Sequence, residues 1–71
     1  MKFAELPKKY QMQATQWAVD AWNEIYREQG IPEIDETAPE VQEFLDEHEY
    51  VIEYGQYEPG VPYERLDYKY D

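Results

Sequence analysis

His48 stands two and one residues after Asp46 and Glu47, the side-chain types that general acid–base chemistry or a metal ion would use, and it is the only histidine. Its helical neighbours at i−3 and i−4 are Leu45 and Phe44, so no Glu-x-x-His ligand pair forms. A half-buried packing role is the better reading for an imidazole on an apolar stripe. The hydroxyl nucleophiles are limited to Thr15 and Thr37, because the chain has neither serine nor cysteine. No glycine-rich phosphate loop, nucleophile elbow or calcium-loop spacing occurs. Paired carboxylates are abundant, but acid–base work needs a pocket that separates their pKa values. A chain of 71 residues offers hardly any interior for one. The sequence therefore predicts no catalytic residues, no metal ligands and no cofactor: not an enzyme.

The carboxylates point elsewhere. Glu36, Glu40, Glu43 and Glu47 fall at i, i+4, i+7 and i+11. On a helix that spacing makes one row, with neighbours roughly 5–6 Å apart. Asp46, Glu49 and Glu53 occupy adjoining positions, and Tyr50, Tyr54 and Tyr57 are interleaved. Like charges so close cost a few tenths of a kcal/mol per pair, about what interleaved lysines would have gained. Yet residues 33–64 contain no Lys or Arg. These ten residues are the expected partner-binding surface: the acids as a row of negative charge, the tyrosines as rigid amphipathic area able to stack on arginine.

Charge placement sharpens this. Residues 1–30 hold four acids and four bases, and residues 31–71 hold thirteen acids and two bases, which is the whole net charge of −11. Direct binding to nucleic acid or anionic lipid needs the opposite sign. Disorder, the ordinary reading of an acidic chain, sits badly with 17% aromatic residues. No apolar run approaches the roughly 18 residues a membrane span requires, and no signal peptide follows Met1. The expectation is one small soluble domain, residues 1–71, in the cytoplasm.

The elements that would position these side chains follow from periodicity. Tyr10, Ala14, Trp17, Ala18, Ala21, Trp22 and Ile25 keep helical spacing, with Pro7 at the start and Gly30 as a left-handed stop. Thr37-Ala38-Pro39-Glu40 reads as a capping box. Val41, Phe44, Leu45, His48 and Ile52 continue an apolar stripe. The fold expected is mainly α, a two-helix hairpin at about 7–29 and 38–54, with a tyrosine-rich C-terminal segment packed across it. The alternative is α+β, with a C-terminal β-hairpin at about 49–57 and 63–70. It rests on the strand formers of residues 50–54, the Pro59-Gly60 turn and the alternation of Leu66, Tyr68 and Tyr70 with Asp67, Lys69 and Asp71.

In size, acidity, lack of cysteine and aromatic-plus-acidic content, most clearly over residues 31–71, the chain resembles the small inhibitors that phages make against host nucleic-acid enzymes. These include anti-CRISPR proteins, anti-restriction DNA mimics and uracil-DNA glycosylase inhibitors. The resemblance is compositional, matches no motif, and carries over no functional residue. It implies a mechanism: occupy the basic channel of a nuclease or surveillance complex, in the host cytoplasm, and block nucleic acid. Two other readings compete. One is an adaptor for a basic protein surface without mimicry, with the helix face of Trp17, Ala21 and Ile25 as interface and Trp22 or Tyr54 as the anchor. The other is a homodimer of helical hairpins paired as a four-helix bundle.

Overall fold

A computed structural model describes residues 1–69; of Lys69 only the backbone is described. A short 3-10 turn at Phe3–Glu5 leads into helix α1, Lys8–Gln29, and then helix α2, Pro39–Glu47. Strands β1, Glu49–Glu58, and β2, Val61–Lys69, complete the chain as an antiparallel hairpin. The architecture is therefore α+β, not mainly α, and it matches the alternative above.

α1 runs from just after Pro7 to the glycine stop, as the spacing predicts. Gly30 adopts φ +74°, and the N–H groups of Gly30 and Ile31 close the last turn onto Arg27 and Tyr26 carbonyls. The face of Tyr10, Ala14 and Ala18 is buried; Trp17, Ala21 and Trp22 are half-buried, and Ile25 is 44% exposed. At about 1.5 Å per residue, α1 is roughly 33 Å long and α2 about 13 Å. The longer helix thus outruns its cover.

The second helix is shorter than periodicity indicates. It ends at Glu47, and His48 already has extended backbone, with ψ 148°. Residues 49–54, expected within helix 38–54, form the first half of β1. The stripe of Val41, Phe44 and Leu45 is helical, whereas Ile52 meets the core from a strand. Pairing decides this: Tyr50 lies opposite Tyr68 and Ile52 opposite Leu66, which brings four apolar side chains onto one face of the hairpin. That face covers the helices, a role two helices cannot fill for each other. Pro59-Gly60 makes the two-residue turn, with Gly60 at φ +88°, the conformation a type II turn requires. Tyr70 and Asp71, at the end of the expected second strand, lie outside the described residues.

The capping box does not form. The N-cap of α2 is Ala38, with Pro39 at the first helical position. The N–H and hydroxyl of Thr37 both turn back to the Asp35 carboxylate, closing an Asx turn. Those two bonds hold the Asp35 carboxyl below its usual range, with the hydroxyl the larger cause. Glu40 is drawn to α1 instead, where it accepts the Tyr26 hydroxyl at 2.7 Å. The connector is pinned by Asn23, whose amide donates to the Ile34 carbonyl at 3.0 Å and accepts its N–H at 2.7 Å.

The core is small: Leu6, Tyr10, Ala14, Ala18, Val41, Leu45, Tyr50 and Leu66, bordered by Phe3, Trp17, Trp22, Phe44 and Tyr68. His48 is buried within it. Its Nδ1 lies 2.7 Å from the Phe44 carbonyl, and its ring packs on Phe44 and Tyr68 at 4.2 and 5.1 Å. The packing role read from the sequence holds, with deeper burial than the stripe indicates.

Candidate acidic interface

α2 divides its nine residues cleanly. Val41, Phe44 and Leu45 face the core; Glu43, Asp46 and Glu47 are exposed, and Glu40 is half-buried. With 100° per residue, the four carboxylates share a sector of about 120° opposite the apolar stripe. They lie within eight residues, seven rises or about 10 Å of helix axis, or one charge per roughly 3.5 Å of axis. Glu36 is exposed in the turn before the helix and leads into the row.

The rest of the expected surface is scattered by the fold. Glu49 and Glu53 stand on β1, not on the helix. Lys2 reaches Glu49 at 3.6 Å. Arg65, opposite Glu53 in the hairpin register, places two guanidinium nitrogens 2.6 and 2.7 Å from its carboxylate. Tyr50 is core, only 3% exposed, and donates its hydroxyl to the Leu45 carbonyl. Burial, then the nearby Asp46 charge, pushes its phenol up to about 12. It cannot be a contact residue. Tyr54 and Tyr57 are 72% and 75% exposed.

Two further ion pairs, Lys9–Glu64 at 3.0 Å and Arg27–Glu33 at 3.6 Å, complete the set among the described residues. None involves Glu36, Glu40, Glu43, Asp46 or Glu47. The basic residues thus pair with Glu49, Glu53 and Glu64 of the hairpin and Glu33 of the connector, and with no acid of α2. Sequence spacing indicated a row of acids; only folding shows which part of it keeps its charge.

Two features lay outside the sequence reading. Tyr63 stacks on Tyr57 with ring centroids 4.4 Å apart, and its ring lies across Gly55, where a Cβ would sit 2.5 Å from it. A glycine inside a strand pattern is the available signal for such an approach. The second is the joint between hairpin and α1, where the buried Tyr10 hydroxyl donates to the Glu64 carboxylate and Lys9 pairs with the same oxygen. The phenol bond, then the lysine, holds the Glu64 carboxyl below its usual range, and the same bond raises the Tyr10 phenol.

A depressed carboxyl stabilises the fold when ionised. Its contribution is complete above the ordinary glutamate pKa of about 4.3 and is lost as pH falls through the lower folded value. Glu64→Gln is therefore expected to flatten the acid limb of the stability curve. Urea midpoints at pH 7 and pH 3 should differ less in the variant than in the wild type; an unchanged difference would mean the joint contributes nothing.

An open cleft of about 830 Å³ between α1 and the connector has Met12, Val19 and Ile34 on its walls. Among the described residues, no group of His, Cys, Asp and Glu is placed to hold a metal ion, and no helix is long and apolar enough to cross a membrane. The site is a charged surface, able to attract and orient a cationic partner. Comparison with family models, with curated proteins and with solved structures finds no significant match for this chain.

Proposed function

We propose that the protein is an acidic inhibitor that binds the basic, nucleic-acid-binding surface of a nuclease or CRISPR surveillance complex in the cytoplasm of the host cell. The α2 carboxylates stand where phosphates would. The observation that carries this reading is the uncompensated row Glu40, Glu43, Asp46 and Glu47, which no lysine or arginine among the described residues neutralises. Its axial spacing of about 3.5 Å per charge is close to the roughly 3.4 Å of duplex axis per phosphate of one strand. A DNA-binding surface of Arg and Lys would accept it and shed the same counterions. The function is binding, without turnover, cofactor, membrane or direct contact with nucleic acid.

An adaptor for a basic protein surface without mimicry is the second reading, favoured by the exposed Tyr54 and Tyr57 at the far end of the hairpin. One experiment separates the two. The protein is immobilised, nuclease-treated bacterial lysate is passed over it, and bound species are eluted from about 0.1 to 1 M salt, over which screening shortens from about 10 to 3 Å. The expected result is retention of one DNA- or RNA-handling complex that added DNA displaces. A retained protein indifferent to DNA would favour the adaptor; nothing retained would reject both.

A further inference from the structure

The two edges of the hairpin are not equivalent. Tyr50 exchanges both of its backbone hydrogen bonds with Met1: its N–H donates to the Met1 carbonyl at 2.7 Å, and the Met1 amino group donates to the Tyr50 carbonyl at 2.6 Å. Tyr50 therefore points its backbone polar groups away from β2. In an antiparallel ladder that direction alternates residue by residue. Ile52, Tyr54 and Gln56 must then present their N–H and C=O groups to the same outer edge, while Val51, Glu53 and Gly55 bond to β2. Among the described residues nothing bonds to those three backbones. Ile52 is half-buried; Tyr54 and Gln56 are exposed.

The outer edge of β2 is blunted by comparison. The same parity puts Pro62, Glu64, Leu66 and Tyr68 on it. Pro62 has no N–H to offer, a common guard on edge strands. The Tyr68 N–H is already donated to its neighbour Asp67, at 2.8 Å. The Glu64 and Tyr68 side chains reach α1 at Tyr10 and Trp17. On β2 only Pro62 and Tyr68 are guarded, with Glu64 and Leu66 between them; β1 is closed only at Tyr50, by a single residue pairing as a strand would.

We infer that the β1 edge at Ile52, Tyr54 and Gln56 is a strand-addition site for an extended, basic segment of the partner protein. The inference rests on the proposed function in one respect, the basic nature of the partner. Main-chain hydrogen bonds give such sites their affinity, and alternate side chains give specificity. Met1 already shows that the edge accepts an added residue. Charge selects the occupant. β1 carries Glu49, Glu53 and Glu58 and no Lys or Arg. A second copy of β1 laid on this edge would set carboxylates against carboxylates, which is unfavourable across strands. Glu49 and Glu53 already pair with Lys2 and Arg65, so a segment with Lys or Arg at alternate positions meets free charge at Glu58 and competes for the other two.

The probe is a capped heptapeptide alternating lysine with threonine and valine, titrated into the full chain and followed by calorimetry. An extended strand presents its two alternate sets of amides to opposite edges. N-methylation of one set is expected to weaken binding by about tenfold or more, and N-methylation of the other to leave it nearly unchanged. In the protein, Tyr54→Pro removes an outward N–H and no bond to β2. It should lose the peptide with its far-UV spectrum intact, while Tyr54→Ala, which keeps the N–H, weakens it by less. Should the proline variant fail to fold, the two N-methylated peptides decide alone. Binding that weakens with salt but ignores N-methylation at both sets overturns the edge and leaves the acidic-surface reading standing. Equal binding of a threonine–valine peptide without lysine overturns the basic occupant. A dimer in light scattering that Tyr54→Pro dissociates gives the edge to a second copy and overturns the inference.

Discussion

Replacing Glu43, Asp46 and Glu47 together by lysine is expected to abolish binding to the basic partner while leaving the helix in place. All three side chains are exposed, and none takes part in an ion pair or side-chain hydrogen bond among the described residues. Glu40 is left alone because it accepts the Tyr26 hydroxyl, so changing it would mix a packing effect with a charge effect. The triple change replaces three negative charges by three positive ones, and the net charge moves from −11 to −5. Close charge pairs across an interface couple by about 1.5 kcal/mol or more each, so affinity should fall roughly 1,000-fold or further. Lysine has a helix propensity close to that of glutamate, and near the C-terminus of α2 its positive charge suits the helix dipole. Thermal stability should hold or rise. Far-UV circular dichroism together with binding to the captured complex checks both halves. Undiminished binding by a folded variant would reduce the row to solvated surface. If instead Tyr54→Ala or Trp22→Ala carries the loss, the adaptor reading gains.

Leu45→Ala should remove roughly half of the stability of the fold. Leu45 and Val41 are the largest side chains with no exposure at all, and Leu45 sits where α2, the Tyr50 hydroxyl and the hairpin meet. Truncating a buried leucine costs about 2–5 kcal/mol, the cavity included. A domain of this size has roughly 4–10 kcal/mol in total. The core has few members able to absorb the loss: two of its eight residues are alanines and two are tyrosines. Urea denaturation followed by tryptophan fluorescence from Trp17 and Trp22 would measure it. Glu43→Ala, on the opposite face of the same helix, should differ from wild type by less than about 0.5 kcal/mol. A Leu45→Ala variant as stable as that control would contradict the packing described above.

Both expectations depend on the hairpin, and the hairpin was the least legible part of the chain. Val41, Leu45, His48 and Ile52 keep a helical period, while Tyr50, Ile52 and Tyr54 also keep a strand period. A short apolar run satisfies both, and local propensity does not arbitrate. The segment becomes a strand because Leu66 and Tyr68, fourteen and eighteen residues further along, pair with Ile52 and Tyr50. That contact lies across the Pro59-Gly60 turn, beyond the stretch over which the periodicity of residues 41–54 is read. The capping box failed for a related reason. Thr37 and Glu40 have the right spacing, but Asp35 and Tyr26 are better placed partners in the folded chain.

What the sequence determined by itself is what local rules govern. The extent of α1, its glycine stop, the proline–glycine turn, the acidic face of α2 and the charge asymmetry between the two parts of the chain all follow from neighbours within a few residues. Tertiary structure alone decided three things: that Tyr50 is core rather than contact, that Glu49 and Glu53 are offset by Lys2 and Arg65, and that one edge of β1 is open. Each depends on which distant residue the chain folds next to it. Burial, ion pairing and strand pairing are properties of spatial neighbours, which sequence spacing reports only within a single helix or strand.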